Sequence, residues 1–473
     1  MKHSVEKAVA TAASGVLLAS CRYGASEAGP TMTVTVTHTE EAQRAEPAFS
    51  PDEPMSVDVY RLKADKNEAS QTSDVKIKKS LGDAATVLAR DTDQHYQMRL
   101  GTINDVYLQP SGVQKKTGRA CYTMSDIYSA TSPSHDNDND KRLIHIVANE
   151  VDACRDDAHK TDAVNSGVAA FAWDKMSFYS LKSNPKVYGN YYEPNAILHE
   201  VGHNMGLGHF PEYECEDEPS SGNLIVADNP VLRDIGEIIN DPTCGPAISE
   251  DGNTDEYSNL SSIMGGNMLS ENDIVTPIVP SFSNVDRITL MSEKYKIKTI
   301  DTLPATYRLE YGEDKLNGLE IPLSKNHPLN AIDPAITKLV IATEVTGGSM
   351  EKENGIGTLQ RDCDQSAICD VAFVATSDDY ATRYSLPRTN FYISIRGDGL
   401  ESDRVGYMDS TMNFGVVVHK KLDAAPVVEI VDYKNILDKA DRQQQAFEKY
   451  VDDTNEELKR SSGASEHQKA FTE

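Results

Sequence analysis

Three of the chain's twelve histidines fall within eleven residues, in the stretch NAILHEVGHNMGLGHFPEYE at 195–214. No other feature of the 473 residues constrains the fold as tightly. Residues four apart in a helix share a face, so a helix here presents the imidazoles of His199 and His203 to one point. Glu200 lies on the neighbouring edge, within reach of a water at that point without being a ligand. Pro194 suits a first helical turn, where its missing N–H costs nothing. The spacing therefore predicts a helix over 194–206. A helix that ran on would carry His209 away. Gly206 is free to take positive φ, end the helix and turn the chain back, and Gly208 adds further freedom. His209 can then join the other two.

Three neutral histidines with one open position describe a catalytic zinc site rather than a closed structural one. A zinc ion (Zn2+) there lowers the pKa of bound water and polarises a carbonyl. Glu200 is placed to take the proton from that water and pass it to a leaving amine. Ile197, Leu198, Val201 and Phe210 around these residues read as core packing.

Read in full, the segment His199-Glu200-Val201-Gly202-His203-Asn204-Met205-Gly206-Leu207-Gly208-His209 matches HExxHxxGxxH. It resembles the zinc signature of the metzincin metallopeptidases. The resemblance implies an α/β (α+β) catalytic domain with a mixed five-stranded sheet and an active-site helix. It implies one catalytic zinc on His199, His203 and His209, with Glu200 as general base and later acid. A methionine in a tight turn beneath the metal belongs to the same pattern. Met264 in SSIMGGNM fits it, with Gly265 and Gly266 next in the chain, and Met268 is the second candidate. The stretch IVPSFSNVDRITL (278–290) looks like the segment just after this turn in bacterial reprolysin-like members. SGVAAFAW (166–173) is similar to the edge strand that pairs with extended substrate. The implied contact is β-augmentation on the backbone of Gly167, Val168, Ala169 and Ala170. Astacin- and serralysin-like members carry an acid after the third histidine and a tyrosine two residues after the methionine. Phe210 and Gly266 stand at those positions, so no tyrosine is assigned to the transition state.

The remaining chain reads as several parts. Residues 1–21 have the layout of a signal peptide. They end in Leu18-Ala19-Ser20-Cys21, which resembles the lipobox of bacterial lipoproteins and makes Cys21 the expected lipidation site. Residues 22–53, rich in Thr, Glu, Ala and Pro, read as a flexible tether. A catalytic domain is expected over 54–299. Strands are expected at MSVDVYRL, HYQMRLGTINDVYLQ, RLIHIVANEV, SGVAAFAW and SFYSL, with a helix over DVKIKKSLGDAATVLARD. Residues 210–262 read as a long acidic insertion with a helical piece near NPVLRDIGEII. From 300 to 428, short β-like runs (TYRLEYG, LVIATEV, DVAFVATS, NFYISIRG, NFGVVVHKK) predict a β-rich, sandwich-like accessory domain. Residues 429–473 read as a helical tail.

A net charge of −28 excludes nucleic acid as the expected partner, since phosphate contacts need clustered Lys and Arg. No segment after the signal is long and apolar enough to cross a bilayer. A membrane would be met only through the N-terminal lipid, and the expected location is the bacterial cell envelope or the secreted fraction. Apart from Cys21, six cysteines remain. They suggest disulfides in an exported chain, and proximity favours 121–154, 215–244 and 363–369. HDNDND (135–140) lacks the Gly and Glu that a calcium loop would need at 141 and 147. His145, inside an apolar run, reads as a core histidine. The expected partner is a protein or peptide substrate, and the composition is silent on oligomeric state. A surface-anchored binding protein built on the C-terminal β unit, and a zinc hydrolase acting on another bond, are the competing functions.

Overall fold

The computed structural model describes residues 54–64, 73–114, 118–131, 142–148, 151–154, 170–173, 175–181, 192–215, 234–247, 262–265, 278–279, 282–310, 314–347, 350–353, 356–359, 368–378, 382–386, 402–420 and 425–438, with 312, 380, 445 and 449. The signal and tether, Gly167 to Ala169, the acidic run at 135–140, Met268, Cys363, the 390–397 run and most of the tail lie outside the described residues.

The first half builds a five-stranded mixed sheet. Its strands are β1 (Met55–Lys63), β2 (Met98–Tyr107), β3 (Arg142–Ala148), β4 (Ala170–Trp173) and β5 (Met176–Ser180). Their order is β2-β1-β3-β5-β4. The first four in that order run parallel, and β4 pairs antiparallel with β5 at the edge. β3 is buried at six of its seven positions. A central strand covered on both faces needs a near-continuous apolar run, and RLIHIVA supplies one.

Helix α1 (Asp74–Asp91) starts at Ser73, whose side chain accepts from the Lys76 amide, and buries Ile77, Leu81, Ala84, Val87 and Leu88 on one stripe. Val75, which the sequence groups with these residues, is 76% exposed, because it lies about half a helical turn from that stripe, on the opposite face. A short helix α2 (Met124–Thr131) comes next. Helix α3 (Pro194–Asn204) packs against α1, β4 and β5. Its Asn204 accepts from the Ser177 hydroxyl at 2.7 Å and donates to the Met176 carbonyl at 3.1 Å. Each such bond adds about 1 kcal/mol, and together they fix the last turn of α3 against β5. Helix α4 (Ile235–Asn240) lies in the insertion, and α5 (Asn284–Leu290) begins with a capping box made by Ser283 and Asp286.

The second half is β-rich. The strands of its two larger sheets are β6 (Lys296–Thr299), β7 (Ala305–Arg308), β8 (Leu316–Pro322), β9 (Lys338–Gly347), β10 (Ile368–Thr376), β11 (Arg383–Ser385), β12 (Ser402–Asp409), β13 (Phe414–Lys420) and β14 (Val427–Asp432). One sheet has the order β6-β8-β9-β10-β11 and the other β7-β14-β13-β12. Within these two sheets all pairs are antiparallel except β6 with β8. Strand periodicity sends alternate residues to opposite faces. Leu339, Ile341, Val371 and Phe373 share a core with Val416, Val418, Val428 and Ile430 of the other sheet. Val340, Ala342, Ala372 and Val374 join the core of α1 and α3, with Ile197, Leu198 and Val201. The pattern change near residue 300 thus marks a change from mixed helices and strands to mostly strands, while the core continues across it.

Cys121 and Cys154 form a disulfide. Cys244 is also disulfide-bonded, and the backbone of Cys215 lies directly opposite it in a two-stranded pair. Residues 433–438 are helical. Ile436 there is buried, and Leu437 is exposed.

Candidate metal centre

The centre is built by α3 and the chain that leaves it. Glu193 is extended, Pro194 opens the helix, and the last helical residue is Asn204. Gly206 then takes φ +92. That left-handed conformation favours glycine and turns the chain as its position in the sequence suggests. The three histidines meet as a result. Their ligand-capable atoms lie within 4.8 Å of one another, with His199 buried and His203 and His209 half-buried.

Two carbonyls set how the rings face. His199 Nδ1 is 2.8 Å from the Ile263 carbonyl, and His203 Nδ1 is 2.8 Å from the Leu207 carbonyl. A carbonyl only accepts, so each Nδ1 carries the proton and each Nε2 is left with a bare lone pair. Those Nε2 atoms are 3.1 Å apart, and His203 Nε2 is also 3.1 Å from His209 Nε2. Bare lone pairs at that distance repel unless a cation lies among them. A tetrahedral zinc with bonds of about 2.0–2.1 Å holds its nitrogens about 3.3 Å apart. The donor set therefore fits such an ion.

Burial pushes the His199 imidazole down to about 3, with His209 adding to the effect. Burial also holds His203 well below the ordinary histidine value, helped by His199 and His209. Both rings are thus kept neutral, the state a ligand needs. Glu200 is buried, and burial raises its carboxyl to about 8. Its Oε2 has no hydrogen-bond partner among the described residues. A buried carboxyl oxygen with no partner is costly unless a ligand, an ion or a reacting group completes it.

Met264 lies in a turn closed by the Gly265 amide on the Ser262 carbonyl, 3.0 Å away. It is fully buried and lies against Gly202 of α3. Its carbonyl accepts from the Phe210 amide at 3.0 Å, while its neighbour Ile263 supplies the carbonyl on His199. The turn thus braces both ends of the histidine segment.

Ala170 begins the edge strand β4, which borders α3; Gly167, Val168 and Ala169 fall outside the described residues. His145 lies in the core, as its apolar neighbours suggest, and is not a member of the three-histidine cluster. Its Nδ1 is 3.3 Å from the Tyr192 hydroxyl, and its buried Nε2 has no partner among the described residues.

Sequence reasoning missed Arg383, Asp286 and Ser262. Arg383 donates through Nη2 to the Gly208 carbonyl at 2.6 Å, across 175 residues of chain. Its Nη1 meets Asp286 Oδ1, and its guanidinium lies 4.8 Å over the Phe210 ring. Asp286 Oδ2 accepts from the Ser262 hydroxyl at 2.5 Å. A three-residue strand carries no periodic signal that could have marked Arg383. The capping pattern Ser283–Asp286 was the one local cue to Asp286.

No protein-family model matches the chain, and no curated protein matches it. A solved structure described as "Structure of a chaperone-substrate complex" is similar over 33% of this chain, at 14% identity and a TM-score of 0.21. The similar region spans 24% of that structure's chain, and so slight a likeness carries no argument.

Proposed function

We propose that this chain is an exported zinc endopeptidase of the metzincin type. The observation that carries the reading is the convergence of three imidazoles, two with Nδ1 held by backbone carbonyls, beside a buried glutamate whose Oε2 lacks a partner. In this reading His199, His203 and His209 hold the zinc. When bound, the metal supplies a Lewis acid for the scissile carbonyl and lowers the pKa of water. Glu200 accepts the proton of the attacking water and returns it to the leaving amine. Met264 forms the apolar floor under the histidines and binds no metal.

The edge position of β4, next to α3, supports substrate pairing along Gly167, Val168, Ala169 and Ala170. An extended peptide added to that edge by main-chain hydrogen bonds would run alongside the helix that bears the histidines. The Cys121–Cys154 disulfide supports export into an oxidising compartment. Cys21 would then be the lipid-bearing residue of an envelope-anchored protein.

The test is cleavage of a casein-type substrate by the full chain. Activity is expected to disappear with a chelator and to return with zinc. Glu200→Gln is expected to keep the metal and lose about 10²–10⁴-fold in rate. Unchanged cleavage by that variant would sink the reading.

A further inference from the structure

We infer that Arg383, on β11 of the C-terminal unit, is a positioning residue for the third histidine of the metal centre. The inference rests on the proposed metal-binding reading. His209 lies in a stretch, residues 207–211, with no regular secondary structure of its own. A ligand there is only as well placed as the residues beside it. Both of its neighbours are held by one side chain: the Arg383 guanidinium donates to the Gly208 carbonyl at 2.6 Å and stacks 4.8 Å over the Phe210 ring. The strand adds a main-chain tie two residues on, from the Ser385 amide to the Pro211 carbonyl at 3.0 Å.

The same side chain reaches the first histidine by another route. Arg383 pairs with Asp286, and both side chains are fully buried. Asp286 accepts from the Ser262 hydroxyl at 2.5 Å, and that hydroxyl in turn accepts from the Met264 amide at 2.9 Å. Between Ser262 and Met264 is Ile263, whose carbonyl orients His199. One guanidinium–carboxylate pair therefore links the loop that carries His209 to the turn that orients His199.

A core ion pair made only for stability is weakly supported on physical grounds. Two buried charges roughly offset their own desolvation. Satisfying Asp286 alone would not require the second fork of the guanidinium to meet Gly208, nor its face to meet Phe210. Those contacts need a planar, multiply donating group, which arginine has and lysine lacks. The C-terminal β unit is in this account part of the metal centre, because β11 holds the loop bearing His209 through Gly208, Phe210 and Pro211, in addition to the Met264 turn's tie to Phe210.

The experiment uses the full chain with Arg383→Lys. Zn2+ affinity is measured by competition with a chromogenic chelator, and ligand geometry by the absorption spectrum of the Co2+-substituted protein. The expected variant unfolds cooperatively without metal, binds Zn2+ about 10–100-fold more weakly than wild type, and shows an altered Co2+ spectrum. If Arg383→Lys does not fold, Arg383→Met with Asp286→Asn replaces it, since that pair leaves no unmatched buried charge. The same loss is expected. Wild-type binding of Zn2+ with unchanged affinity and spectrum in the variant would overturn this inference alone. Failure of both variants to fold would make the pair a core determinant and overturn the positioning role. Absence of Zn2+ and Co2+ binding by wild type would overturn the metal reading, and this inference with it.

Discussion

The sulfur of Met264 lies against Gly202, in the space that a β-carbon on that glycine would fill. Phe282 closes the same space from the side. The helix that carries the histidines can approach its floor this closely only because position 202 has no side chain. Gly202→Ala is expected to force the turn at 262–265 away from α3. Overpacking of this kind costs about 1–3 kcal/mol. The midpoint of thermal unfolding should fall by several degrees, and Zn2+ affinity should fall with it, because Ile263 moves with the turn. Met264→Leu keeps the volume and should cost less than about 1.5 kcal/mol while retaining the metal. Loss of the metal in Met264→Leu would mean the sulfur is more than floor.

His145 is fully buried, and burial pushes its imidazole down to about 3 from an ordinary value of 6.5. The unfolded chain takes up a proton there below pH 6.5, and the folded chain does not until about pH 3. Its contribution is therefore complete above 6.5 and is lost progressively as the pH falls toward 3. His145→Leu removes that proton uptake. In urea titrations between pH 6.5 and 4, the variant's stability should fall less steeply than wild type, by up to about 1.4 kcal/mol per pH unit for one proton. Parallel curves would show that this ring does not titrate as its burial implies.

The Cys121–Cys154 disulfide closes a loop with a sequence separation of 33. A cross-link over that length limits the unfolded chain and is worth about 2–4 kcal/mol. The double variant Cys121→Ser/Cys154→Ser should lose that much by urea titration and should retain Zn2+, since neither sulfur is among the residues that meet at the metal centre. A double variant as stable as wild type would contradict this.

The parts legible in the sequence were those whose signal is local. α3 was readable because Pro194, the four-residue spacing of His199 and His203, and Gly206 all act within one short segment, 194–206. α1 was readable from its stripe, apart from Val75, whose position in the turn puts it on the opposite, exposed face. β3 and β5 were readable as apolar runs, but their order beside β1 was not, because parallel neighbours are set by crossovers and leave no local mark. The contacts of Arg383 depend on the docking of a sheet onto a loop 175 residues away. No pattern within either segment encodes that meeting. The same holds for the core. The sequence pattern divides near 300 because mixed helices and strands give way to mostly strands there, yet Val340 and Ala342 share one core with Val201.

The central claim is that three histidines hold one zinc. The most direct measurement is metal content per chain, by elemental analysis of the folded full-length protein after exposure to Zn2+ and dialysis. One zinc per chain is expected for wild type, and loss of that ion for His199→Ala, His203→Ala and His209→Ala, each still folded by circular dichroism. A folded wild-type chain that retains no zinc, or a folded histidine variant that retains as much as wild type, would contradict the account.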